Sequence, residues 1–180
     1  MGATLTIATD EQDGPLTAEE LCRAHAASVC RFAALVSPSV ADAEDVAQDA
    51  LLRAVRSLRS YDASRGSVEA WLWRIVVNAA KDAAGRRQRL RDIAVRVGMF
   101  TPREASSIED DVVRKLADAD LHAQLRRLPL RDRTLIALRF GADLDMHEVG
   151  AAVGLRPESA ARAVRRALDR LRARLEDTTR

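Results

Sequence analysis

At 180 residues the chain is long enough for one ordinary domain or two very small ones. Its apolar fraction of 47% supplies a core, but only 3% is aromatic; Ala, Leu and Val dominate, which favours helices over sheets. Net charge is +2, no run approaches the ~20 apolar residues of a membrane span, and the N-terminus lacks a basic-then-apolar leader; membrane insertion is excluded and a cytoplasmic location expected.

Residues 1–16 have no periodicity and carry Asp10, Glu11 and Asp13, so a disordered extension is expected there. Thr17-Ala18-Glu19-Glu20 opens the first helix as a capping box, with Leu16 placed to staple onto Leu21. Leu21, Ala24, Ser28, Phe32 and Leu35 recur at helical spacing until Ser37-Pro38. A second helix runs from about Asp42 to Leu58, with Val46, Ala47, Ala50, Leu51, Ala54, Val55 and Leu58 on one side. Asp45, Gln48, Asp49, Arg53 and Arg56 take the other side.

Ser60 to Ser67 is a turn-rich loop, followed by a third helix to about Arg89 that buries Trp71, Leu72, Ile75, Val76, Ala79 and Ala83. On the wheel, Trp73, Arg74, Val77 and Lys81 lie opposite that stripe, with Asn78 at its flank. A solvated face seldom carries Trp and Val. Either the surface stacks an unpaired base, or Trp73 packs against the first helix. From Arg91 to about Asp111 the pattern is lost, and residues 92–117 read as an interdomain linker. Helices are then expected over 112–128, 130–140, 145–153 and 157–175.

Charge follows the same division. Residues 17–91 carry a net +3, 92–120 a net −3 and 121–180 a net +5. Two basic blocks around an acidic one suggest two modules that face nucleic acid. Cys22 and Cys30 read as small buried residues, and His25, His122 and His147 have no ligand spacing; neither metal nor cofactor is expected.

The sharpest local pattern is Leu144 to Pro157. Asp145 and Glu148 form a capping box, Val149, Ala152 and Val153 face inward, Gly154 stops the helix, and Leu155 plugs the angle before Pro157 starts the next one. That is the punctuation of a helix-turn-helix. In the second helix Ala160, Val164, Ala167, Leu168, Leu171 and Leu175 share the inward arc. Glu158, Arg162, Arg165, Arg166 and Asp169 share the outward one, where arginine can read guanine or neutralise phosphate.

Ala43 to Asp49, followed by Ser67 to Asn78, resembles conserved region 2 of the extracytoplasmic-function RNA polymerase sigma factors, and Leu128 to Leu175 resembles their region 4. The resemblance implies an all-α fold of two small domains, region 2 over 17–91 and region 4 over 118–176, joined by a flexible linker. It implies a non-enzymatic subunit that binds core polymerase and directs promoter recognition, DNA melting and initiation. Asp45, Gln48 and Asp49 would grip the coiled coil of the largest polymerase subunit, as carboxylates around an amide suit an arginine-rich helix. Tyr61, Asp62, Ser64, Arg65, Trp73, Arg74, Asn78 and Lys81 would meet the −10 element, and Arg86, Arg87, Arg89 and Arg91 its phosphates. Glu158, Ser159, Arg162, Arg165 and Arg166 would meet the −35 element. The family often has Lys-Ser-Arg where this chain has Ala161-Arg162-Ala163, so the positive charge is shifted along the helix. Family members are commonly held by an anti-sigma factor, a possible further partner.

The alternative is a stand-alone helix-turn-helix regulator, which has no need of the acidic face on the second helix. An enzyme built on Asp42, Glu44, Asp45 and Asp49 would need a histidine, a phosphate-cradling loop or a nucleophile elbow, and none accompanies them.

Overall fold

The computed structural model describes residues 16–97 and 119–178. The expected N-terminal extension, most of the linker and the start of the helix placed at 112 lie outside the described residues. Among the described residues the fold is all-α, with no strand.

Helix α1 (Ala18–Val36) starts at the expected capping box: Thr17 Oγ1 accepts from the Glu20 amide at 3.2 Å, and Glu20 accepts from the Thr17 amide at 2.9 Å. Its buried face is Leu21, Val29, Phe32, Ala33 and Val36, rotated from the expected stripe so that Ala24 is exposed. The reason is that α1 packs on both modules, not on one. Cys30 is also exposed, and Cys22 only half-buried, so neither is the core residue expected. Helix α2 (Val40–Ser57), capped by Ser39, buries Ala43, Val46, Ala47, Ala50 and Ala54. Alanine on nearly every inward position lets α2 approach its neighbours closely.

Helix α3 (Val68–Arg96) is capped by Ser67 and has 29 residues, about 43 Å at 1.5 Å per residue. It runs seven residues past the expected end, so the first part of the expected linker is helical. The second module holds α4 (Ala119–Arg126), α5 (Leu130–Ile136), a single π turn (Ala137–Gly141), α6 (Met146–Val153) and α7 (Pro157–Thr178). Arg133 donates to the carbonyl of Arg126 at 3.2 Å and so caps the end of α4. Asp132, 6% exposed, accepts from Arg170 of α7 and fixes α5 to α7.

The two modules are not separate beads. One apolar cluster contains Phe32, Leu72 and Val76 from the first and Leu138, Val149 and Val164 from the second. Helix α1 packs on α5 and the π turn, and α3 packs on α6. Arg31 donates from Nε to the Gly141 carbonyl at 2.9 Å. A Cβ on Gly141 would lie 2.7 Å from Leu35 Cδ1, so the missing side chain is what allows this approach.

Candidate nucleic-acid interface

The helix-turn-helix is built as its residues dictate. Asp145 accepts from the Glu148 amide at 2.8 Å and Glu148 from the Asp145 amide at 2.7 Å, which fixes the start of α6. Gly154 ends α6 at φ 75, a left-handed conformation that costs glycine nothing, and the Leu155 amide returns to the Gly150 carbonyl at 2.8 Å. Pro157 then begins α7. Ala160, Ala163, Val164, Ala167 and Leu171 are buried. Glu158, Arg162, Arg165, Arg166 and Asp169 are exposed on the opposite side, and half-buried Ser159 accepts from Arg162 at 3.2 Å. The seam between the modules leaves this arginine face open to solvent.

On α2, Asp45 and Gln48 are exposed, as is Leu52 at 44%. Asp49 stands apart. It takes the fork of Arg53 through Nε at 2.9 Å and Nη2 at 2.8 Å, while Arg53 Nη1 reaches Asp82 of α3 at 2.6 Å. Hydrogen bonds to Asp82 and then Asp49 hold the Arg53 guanidinium still more firmly in its charged form. Arg86 approaches Asp49 at 3.8 Å and Arg87 reaches Asp42 at 3.2 Å. This seam of charge clips α2 to α3, so Asp49 has an internal duty that Asp45 and Gln48 lack. The sequence hint was present in Asp49 and Arg53 at i, i+4; Asp82 needed the fold.

The loop before α3 is held in shape. Tyr61 donates to the Gly66 carbonyl at 3.1 Å and its ring lies 5.5 Å from Trp71 at a tilt of 51°. Asp62 accepts from both the hydroxyl and the amide of Ser64, and these bonds hold its carboxyl below the usual carboxylate range. Asp62, Ser64 and Arg65 are exposed.

On α3, Arg74, Asn78 and Lys81 share one exposed arc. Trp73 does not belong to it, and its expected place among base-contacting residues is corrected here. Its ring is 2% exposed and meets Phe32 of α1 edge-on, centroids 5.7 Å apart; Val77 is 1% exposed. The wheel assumed a single packed face, whereas α3 packs against α1, α2 and α6, so the buried arc widens to include Val77 and Ala80 as well as Trp73, which takes the packing against the first helix that was its other reading. Lys81 lies at the edge of a cleft of about 360 Å³ between the modules, together with Leu130, Thr134, Val153 and Leu155. Among the described residues no three His, Cys, Asp or Glu side chains gather to hold a metal, and no helix is long and apolar enough to cross a membrane.

Residues 21–90 match the family model for Sigma-70 region 2 and residues 124–173 that for Sigma-70, region 4. The ECF RNA polymerase sigma factor RpoE of Cereibacter sphaeroides is 33% identical over 138 residues, covering 76% of this chain and 74% of that protein. The chain belongs to the ECF RNA polymerase sigma factors. ECF sigma factor SigE of Mycolicibacterium smegmatis is 32% identical over 176 residues, which are 95% of this sigma factor and 66% of SigE. The structure of sigma factor RpoE in complex with the anti-sigma factor NepR from Bartonella quintana shares the fold, with a TM-score of 0.65 at 22% identity over 88% of this sigma factor and 96% of that chain. The two matched regions of this sigma factor are the two halves of the seam that Arg31 and Gly141 close.

Proposed function

We propose that this sigma factor is a non-catalytic initiation subunit that binds core RNA polymerase and recruits it to promoter DNA in the cytoplasm. The observation that carries this reading is the pairing, in one chain, of an exposed acid-amide face on α2 with an exposed arginine face on α7. A stand-alone regulator uses the second surface and has no use for the first.

In this reading Asp45 and Gln48 accept from and donate to a basic helix of the polymerase. Asp49 orients that face through Arg53. The Tyr61–Ser67 loop, held by Tyr61 and Asp62, joins Arg74, Asn78 and Lys81 in receiving the separated −10 strand; an amide can read a base edge once the base has left the stack. Arg86 and Arg87 must exchange Asp49 and Asp42 for phosphate oxygens if they serve the same strand. Glu158, Ser159, Arg162, Arg165 and Arg166 enter the major groove of the −35 element. Helix α6 lies against α3 beside the −10 arc, so the modules separate before both elements are bound at once. The relative from Bartonella quintana is held by an anti-sigma factor, and we extend a partner of that kind to this chain.

The test is transcription with purified core polymerase on a library of promoters from the host genome. Specific transcripts only when chain and core are combined support the reading. Tight sequence-specific duplex binding by the chain alone, with no transcripts beside core, would assign it instead to stand-alone regulators.

A further inference from the structure

After Ala83, no residue of α3 is buried, yet the helix continues to Arg96. Among the described residues six large apolar side chains are exposed, and four of them, Leu90, Ile93, Val95 and Val97, crowd into this overhang at 55–66% exposure. Leu90, Ile93 and Val97 stand at i, i+3 and i+7, which places them within about 60° of one another on the helix surface. Arg89 and Arg96 border this stripe on one side, Arg87 and Arg91 on the other. Arg87 is partly answered by Asp42; among the described residues Arg89 and Arg91 pair with no carboxylate.

A helix end of this kind is marginal alone, because turns that bury no large apolar side chain among the described residues gain little beyond their own hydrogen bonds. Phosphate binding would account for the arginines and leave the apolar stripe unexplained. Single-stranded bases would call for aromatic rings, and the overhang has none. A stripe of Leu, Ile and Val between two rows of arginine matches one shape well: a helix with an apolar face bordered by carboxylates. We propose that the α3 overhang, residues 86–97, is a docking strip for an acidic amphipathic helix supplied by another protein. Its arginines at 86, 87, 89 and 91 are shared with the promoter-binding reading, but the apolar stripe of Leu90, Ile93 and Val97 has no part in that reading, so peptide capture at position 93 succeeds or fails apart from it.

The experiment places a photo-crosslinking amino acid at position 93 of the full chain in its host, with position 23 on exposed α1 as control, and sequences the captured segment. The captured segment is then made as a peptide and titrated against the full chain. The expected result is an acidic amphipathic segment whose affinity drops about tenfold or more both in L90S/I93S and in R89E/R96E, and weakens with salt. Both variants should keep the parent melting temperature, as every altered side chain is exposed. Crosslinking to the chain's own residues 98–118, to a second copy, to DNA or to lipid would overturn the proposal, as would capture no greater than at position 23 or a peptide indifferent to both variants.

Discussion

Arg31 and Gly141, 110 residues apart, are joined by a 2.9 Å hydrogen bond from the guanidinium Nε to the backbone carbonyl. The bond exists only while the two DNA-facing modules are closed on each other, and the bare Cα of Gly141 is what lets Leu35 come so near. Gly141→Phe therefore pushes the seam apart without touching either module's own core. Small-angle scattering should show a larger radius of gyration at unchanged helical content. An unaltered radius would mean that Leu35 simply turns aside.

Asp45 and Asp49, one turn apart on α2, should behave differently when removed. Asp45→Ala and Gln48→Ala should weaken association with core polymerase while leaving the melting temperature alone, because surface positions with few contacts seldom affect stability. Asp49→Ala should lower stability by about 1 kcal/mol as well, since it releases one arm of Arg53. Equal melting temperatures for all three variants would remove the internal duty assigned to Asp49.

Arg170 is half-exposed but its partner Asp132 is not. Replacing Arg170 with Met leaves a carboxylate among apolar groups, and the loss should be about 2 to 3 kcal/mol, below the full cost of an orphaned buried charge because water reaches the arginine side. Urea unfolding of the variant measures it. A loss near zero would show that water satisfies Asp132 unaided.

Burial, and secondarily the charge of Arg126, hold the His122 imidazole below its usual 6.5. The unfolded chain takes up this proton near pH 6.5 and the folded chain resists it. Stability is therefore undiminished above pH 6.5 and falls as the pH drops below it, until the depressed folded value is reached. Thermal melting at pH 7.5 and 5.5 should show a smaller pH effect in His122→Leu than in the parent. Identical pH effects would acquit His122.

Arg162 and Arg166 share the outward arc of α7 but sit one turn apart. Arg162 is nearer the start of the helix, where base edges are reached, so Arg162→Ala should lose ~1 to 3 kcal/mol of discrimination at one −35 position. Arg166→Ala should weaken all sequences alike and flatten the salt dependence. Base-substitution profiles of holoenzyme at two salt concentrations separate the two. The reverse pattern would exchange the roles.

What was legible in the sequence was local. The capping boxes at Thr17 and Asp145, the stop at Gly154 and the start at Pro157 depend on neighbours within four residues, and each formed as expected. The outward arginines of α7 followed from the same short period. Of the two readings open for Trp73 the structure shows the packing against α1, through Phe32; its wheel position alone says how it faces α2 and nothing about a third helix. The Arg53–Asp82 pair and the Arg31–Gly141 bond were hidden for the same reason: each joins elements whose approach is decided by packing. The helical run to Arg96 was not legible because its large apolar residues stay exposed among the described residues, so no packed stripe marks it.

The bare Cα at position 141 also limits how such proteins can be recombined. If the exposed α7 arginines read the −35 element as proposed, exchanging α4–α7 for the corresponding half of a relative should transplant that preference, since those arginines are exposed and away from the seam. A donor half with a large side chain at that position would press on Leu35 and, beyond its Cβ, on the α1 backbone, and the hybrid would read its new promoter from a chain that closes less tightly. Inheritance of promoter choice and inheritance of the resting shape are thus separable at one atom.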